Sequence, residues 1–373
     1  MDRRTFMALT ASSTTHIARA WYDPVLSTEG VGDVRTPTFY RYDIGTAPGR
    51  LHEPSVGSDG SLWTSPLDGN LWRYQTQTGQ TEVFNLSQLT GSPWKGLHLW
   101  PIAYRDQVYL CTPKRSQLWV WDRRSGKITQ HAFPHSQPSV YGGFAIESRE
   151  HLYLYDTRHQ AVLKWNPDSG QGALFRCPYS LSGTLYMSFV DSERQEIWGS
   201  TYTGNDIVRF DLASDQWTGH FSCPHSGATP TAGGKVFQGN TLYIADHLNG
   251  RIIPLNVDSG CWAEPIAVPG YGEWFGYISG AWLLREKLYF CHSTWKGGTD
   301  SIDGEPHHFI GSWTVFDPAR SCFSRLDLPV RMEESRSDLQ SDYCITNQDE
   351  MYILAVDRKV PRRAMVVQSS RLM

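Results

Sequence analysis

Histidine is the side chain best suited to moving protons near neutral pH, and its distribution along this chain is uneven. Of 13 histidines, nine (His52, His98, His135, His159, His225, His247, His292, His307 and His308) fall in the segments expected to connect strand-like apolar runs. The same segments carry Tyr141, Tyr179, Tyr186 and Tyr271, the cations Lys95, Lys114, Arg115, Arg158, Lys296 and Arg331, and the indoles Trp94, Trp274 and Trp295. The carboxylates Glu53, Glu273, Glu305 and Glu333 are also present, but no spacing pairs them as a two-carboxylate glycoside hydrolase requires. An inventory richer in His, Tyr, Lys and Arg than in acids favours base-driven chemistry on an anionic substrate.

Roles follow from residue type. His52, His98, His225 and His292 are the candidate bases or acids, with Tyr141 or Tyr186 as partner. Lys95, Arg158, Lys296 and Arg331 are candidates to hold a carboxylate and stabilise a carbanion-like transition state. Trp94, Trp274 and Trp295 offer flat apolar faces for sugar rings. His307 and His308 are adjacent in an extended segment and point opposite ways, so one of them, taken as His308, faces a ligand. His135 and His225 stand in two Pro-His-Ser copies, a repetition that suits a shared turn as well as chemistry. There is no H-E-x-x-H, EF-hand loop, P-loop or Gly-x-Ser-x-Gly elbow. The pairs Gly142-Gly143 and Gly297-Gly298 follow no strand-to-helix pattern that would cradle a phosphate. No cofactor is required by this chemistry, the metal is left unassigned, and a divalent cation in a central channel stays open.

A repeat positions these residues. An aliphatic–aromatic or Met–Tyr pair recurs at Leu62-Trp63, Val108-Tyr109, Leu152-Tyr153, Ile197-Trp198, Leu242-Tyr243, Leu288-Tyr289 and Met351-Tyr352, with spacings of 46, 44, 45, 45, 46 and 63. A second strand and a turn follow, as in LWVWDRRSG and VLKWNPDSG. Short alternating strands bounded by turns read as antiparallel meanders, and a period of 40–50 residues is the signature of a β-propeller. The expected fold is all-β: a seven-bladed β-propeller occupying 21–373 as one domain. The strand near Phe39-Tyr40 completes the last blade and closes the ring, which removes an exposed edge. Blade six carries an insertion from Cys291 to His308, and Val330 to Ser341 forms a second long connection. Both are expected as loops over one mouth of the channel. Long loops that add no strand are more often functional than not.

Composition bounds the rest. The formal charge is -4, charged residues are 19% and no basic block occurs, which excludes a general nucleic-acid binder. Mean hydropathy is -0.43, and no apolar run is long enough to span a membrane. The chain is expected to be a monomer with a saccharide or small-molecule substrate. Seven cysteines lack CxxC spacing, so they read as small thiols rather than a zinc site. Arg3-Arg4 with Phe6, and Ala18-Arg19-Ala20 beyond them, read as a twin-arginine export signal over 1–20. Secretion or a periplasmic location follows, with a cytoplasmic location as the alternative.

The segments Asp59-Gly60-Ser61-Leu62-Trp63 and Gly69-Asn70-Leu71-Trp72-Arg73-Tyr74 resemble repeat units of the virginiamycin B lyase-like propellers. The expected architecture is also similar to seven-bladed polysaccharide lyases such as ulvan lyases and rhamnose–glucuronate lyases. That resemblance implies β-elimination at a uronic acid: a cation neutralises the carboxylate, a His or Tyr removes the C5 proton, and an acid protonates the leaving oxygen. It assigns none of these histidines by position. Elimination or isomerisation of a secondary metabolite, and a non-catalytic propeller that binds a glycan or peptide, are the alternative readings.

Overall fold

The computed structural model describes residues 39–46 and 51–369, apart from 270–276, 296–306, 328–338, 358–362 and shorter gaps that include His98 and His247. Contacts divide the chain into two compact units. One is built chiefly of 42–221 and the other chiefly of 222–361.

The 42–221 unit holds four antiparallel sheets, each of four strands in sequence order. β1 (Phe39–Thr46) precedes them. The first sheet is β2 (Leu51–Val56), β3 (Leu62–Pro66), β4 (Asn70–Gln75) and β5 (Gln80–Asn85); the second is β6 (Trp100–Tyr104), β7 (Gln107–Cys111), β8 (Gln117–Asp122) and β9 (Ile128–Ala132). The third is β10 (Val140–Ile146), β11 (His151–Asp156), β12 (Ala161–Asn166) and β13 (Gln171–Arg176). The fourth is β14 (Thr184–Asp191), β15 (Glu196–Tyr202), β16 (Asp206–Asp211) and β17 (Gln216–Ser222). A single-turn helix, α1 (Leu86–Thr90), follows β5; Asn85 caps its start by accepting from the Gln88 amide, and Gly91 ends it at φ 67°.

The 222–361 unit begins with β18 (Pro230–Gln238), β19 (Thr241–Asp246), β20 (Arg251–Asn256) and β21 (Ile266–Ala267). One parallel pairing, Gly234 with Ala281, joins this meander to the next: β22 (Tyr277–Leu284), β23 (Lys287–Trp295), β24 (His307–Phe309), β25 (Ser312–Asp317) and β26 (Cys322–Asp327). The last strands, β27 (Leu339–Asn347), β28 (Glu350–Asp357) and β29 (Arg363–Ser369), form a sheet of order β1-β29-β28-β27.

Each repeated pair lies on the second strand of its meander, and in the 42–221 unit its burial explains its composition. Leu62, Trp63, Val108, Tyr109, Leu152, Tyr153, Ile197 and Trp198 are all essentially solvent-free. Neighbouring residues of a strand point to opposite faces. Both can be buried only where apolar packing covers both faces, which is why two large apolar residues stand side by side instead of alternating with polar ones. Each such aliphatic side chain contributes roughly 1.5–3 kcal/mol of burial. Around β11 the two faces separate cleanly. Leu152 and Leu154 pack into one core with Ile102, Val140 and Trp165, while Tyr153 and Tyr155 pack into another with Ile197, Val208 and Phe210.

The pattern hid one strand per meander. His52, Tyr141 and Tyr186, expected in connections, lie on the first strands β2, β10 and β14. These strands are rich in Gly, Ser, Pro or Met and lack clean alternation, so they did not read as strands. Register breaks interrupt β2, β10, β14, β18, β22 and β27, and such bulges re-aim side chains beside the break. The insertion after Cys291, expected as a loop, begins as strand instead: β23 runs to Trp295 and pairs back with β24, Trp295 opposite His307 and Thr294 opposite His308.

Candidate functional site

Four aromatic rings gather where three successive sheets begin. Trp100 opens β6, Tyr141 is second in β10, Tyr155 is next to last in β11, and Tyr186 is third in β14. Tyr141 meets Tyr186 edge to face with centroids 5.5 Å apart and stacks on Tyr155 at 6.2 Å. Tyr155 lies 6.1 Å from Tyr186 and receives Trp100 edge-on at 6.0 Å. Tyr155 is buried, and the other three are half-buried. Edge-to-face and offset contacts of this kind hold rings in defined orientations.

Two backbone features build this shelf. Register slips between Val140, opposite Asp156, and Gly142, opposite Tyr155. Tyr141 is thus the extra residue of a bulge, freed from the ladder's alternation. Gly142 then makes room for the indole, because a Cβ there would stand 2.4 Å from Trp100 Cδ2. The Gly142-Gly143 pair serves packing, consistent with its lack of a phosphate-cradle pattern.

On the opposite face of β11, Asp156 collects a polar cluster. Its side chain is fully buried. Oδ1 accepts the backbone N–H groups of Arg158 (2.9 Å), His159 (3.2 Å) and Ser139 (3.2 Å). Oδ2 accepts from His135 Nε2 (2.6 Å) and His159 Nδ1 (2.9 Å). Burial by itself would raise the Asp156 pKa, but the hydrogen bonds from His159, His135 and the backbone amides of His159 and Ser139 hold it below the ordinary carboxylate range. The two imidazoles are near perpendicular, with centroids 4.8 Å apart. His135 Nδ1 is buried with no hydrogen-bond partner among the described residues. Gln137 (φ 51°) and Gln160 (φ 49°) take left-handed conformations on either side of the cluster.

Related aspartates recur in the next two meanders. Asp206, almost fully buried, accepts from Ser182 N (2.6 Å), Ser182 Oγ (2.5 Å) and His220 Nε2 (2.9 Å). Asp246 accepts from Arg251 Nε (2.7 Å) and Asn249 Nδ2 (2.8 Å), and Asn249 also donates to Gly227 O. Each aspartate stands at the turn joining the second and third strands. Asp156 and Asp206 tie that turn to the segment leading into the sheet through Ser139 and Ser182, whereas at Asp246 the tie runs from Asn249 to Gly227. Asp156 binds two imidazoles.

The residues expected to act on a substrate fare unequally. Tyr141 and Tyr186 come together. Arg158 is exposed in the turn after Asp156, where its Nη1 donates to Gln137 Oε1 at 3.2 Å. Lys95 is exposed. Trp94 is a correction: expected to stack on a ligand, it is 1% exposed and sits in a core with Leu71, Leu86, Trp119 and Trp121. Its Nε1 donates to Thr90 Oγ1 at 2.6 Å, and the Arg115 guanidinium lies 4.4 Å above its ring. The five-residue helix α1 contributes Leu86 and Thr90 to that burial, and no sequence signal marked it. His225 Nε2 donates to Ala263 O at 2.9 Å, so the two Pro-His-Ser copies differ in what they bind. His52, His292, Trp295 and His308 are placed by strand and register alone, on β2, β23, β23 and β24. His98, Trp274, Lys296 and Arg331 lie outside the described residues. Trp100, Tyr155 and Asp156 were missed. The endings of HLYLYD and TLYIAD, which both bring a buried aspartate to the same turn, could have revealed the last.

These sheets define a β-propeller. No family model matches the chain, and no curated protein matches it. Among solved structures it is similar to a chain of the structure titled "Crystal Structure of Mitotic Checkpoint Complex", with a TM-score of 0.58 over 89% of this chain and 91% of that one, at 10% sequence identity. Likeness at that identity concerns the fold alone. The resemblance to propeller lyases is accordingly supported at the level of the propeller. Among the described residues no helix is long and apolar enough to cross a membrane.

Proposed function

We propose that the protein is a saccharide-binding β-propeller whose ligand lies on the Trp100, Tyr141, Tyr155 and Tyr186 shelf. One observation carries this reading: three half-buried rings from three successive sheets, Trp100, Tyr141 and Tyr186, are held around the buried Tyr155 in fixed mutual orientations. Pyranose rings present C–H faces that pack on such surfaces, while their hydroxyls need only a few placed polar groups. The reading takes an acidic sugar, with Arg158, exposed in the turn after Asp156, as the cation that meets its carboxylate. It also has the twin-arginine segment export the protein to where it would meet a glycan. The same reading takes the repeat as seven blades, with β1 as the outer strand of the last, in a monomeric protein. Calorimetric titration of the purified chain with neutral and uronate-containing oligosaccharides tests it. Binding that weakens at least tenfold in Tyr141→Ala and Tyr186→Ala supports the proposal, and no binding across the panel overturns it.

The Tyr141–Tyr186 contact favours a second reading, uronate lyase action. One tyrosine, as its phenolate, would take the C5 proton. The C4=C5 double bond would form as the C4–O bond breaks, and the other tyrosine would give its proton to the leaving oxygen, while Arg158 neutralises the carboxylate. Absorbance from the unsaturated uronate separates the two readings. Binding without any rise in absorbance leaves the protein a lectin-like propeller.

A further inference from the structure

We propose that His135, Asp156 and His159 form a binding site for a single divalent transition-metal ion of the zinc class. Three ligand atoms converge there: His135 Nε2, His159 Nδ1 and Asp156 Oδ2 all lie within 4.8 Å of one another. Both nitrogens already point at the same carboxylate oxygen, at 2.6 Å and 2.9 Å. An ion inserted between them replaces two N–H···O contacts with N and O bonds of about 2.0–2.2 Å.

The surroundings hold these ligands ready. The other carboxylate oxygen accepts three backbone N–H groups, which fixes the direction of Oδ2 before any ion arrives, as supporting hydrogen bonds do in metal sites. His135 and His159 come from separate segments, one ahead of β10 and one in the turn after β11, so neither has to move along its strand. Their side chains are 10% and 16% exposed, which leaves a path for the ion and a water as further ligand. Two imidazoles and one carboxylate suit zinc, cobalt or nickel better than calcium or magnesium, which prefer oxygen donors. Binding moves the His135 proton from Nε2 to Nδ1. That atom has no partner among the described residues, so the ion exchanges an unpaired acceptor for an unpaired donor. The nearest cation in sequence, Arg158, turns its guanidinium to Gln137. This inference is independent of the saccharide reading.

The test uses the full chain and two metals. Co²⁺ should produce visible ligand-field bands at one equivalent, and Zn²⁺ should abolish them. His159→Gln keeps a donor for Asp156 but removes the imidazole ligand, and should weaken Zn²⁺ binding at least tenfold with an unchanged circular dichroism spectrum. His135→Gln, read the same way, replaces it should His159→Gln fail to fold. No ligand-field band, or Zn²⁺ affinity indifferent to both variants, overturns the proposal. The cluster is then a carboxylate clamp alone.

Discussion

Tyr141 and Tyr186, 45 residues apart in sequence, meet edge to face at 5.5 Å between the first strands of adjacent sheets. The bulge that releases Tyr141 from its ladder position creates the contact. Replacing either ring with Ala should weaken saccharide binding tenfold or more in calorimetry on the folded protein, and should also lower the melting temperature, because both rings pack against a buried core. Tyr→Phe variants should keep binding, because the ring face is retained. If the lyase reading holds, the same Phe variants should lose turnover by about 10²-fold or more, since the hydroxyl transfers the proton.

Gly142→Ala acts on the shelf through the backbone. The added methyl would stand 2.4 Å from Trp100, so the indole must move. A cost of about 1–3 kcal/mol is expected in denaturant unfolding. Weaker saccharide binding should accompany it, checked on the folded fraction.

Trp94 belongs to the core and not to a ligand. Trp94→Ala should cost about 3–5 kcal/mol in urea unfolding. Saccharide affinity of the protein that remains folded should be unchanged. A selective loss of affinity with stability intact would return Trp94 to the ligand-binding set.

Asp156 makes part of the stability pH-dependent. Its folded pKa lies below the unfolded value, so the folded state takes up a proton less readily than the unfolded chain. Its contribution is fully present above the ordinary aspartate value and is lost as pH falls through the lowered folded value. Unfolding midpoints measured from pH 6 downward should fall with acid, and Asp156→Asn should flatten that dependence. The variant should also cost about 3 kcal/mol or more at neutral pH, because five N–H groups lose a carboxylate.

Asp59 acts in the same direction at the surface. Burial would raise its pKa, but Ser61 and Arg73 hold it down at about 2. Its contribution is present above about pH 4 and fades toward pH 2. Arg73→Ala should shift that acid transition upward in a fluorescence titration.

The sequence by itself determined the propeller, because a repeat of paired apolar residues at near-constant spacing reports burial on both faces of one strand, as in the four meanders of the 42–221 unit. Leu152-Tyr153 and Ile197-Trp198 are legible without coordinates for this reason. It also marked Tyr141 and Tyr186 as chemically apt. Tertiary structure alone decided which residues meet. A bulge is a slip of register between two strands, and composition carries little trace of it, so Tyr141 could be named but not aimed. Trp94 is buried among strand residues such as Leu71 and Trp119, with Leu86 from a five-residue helix too short to show periodicity. The buried aspartate Asp156 gains its imidazoles from residues 21 positions before it and 3 after it, and only the folded chain brings those segments to one carboxylate oxygen.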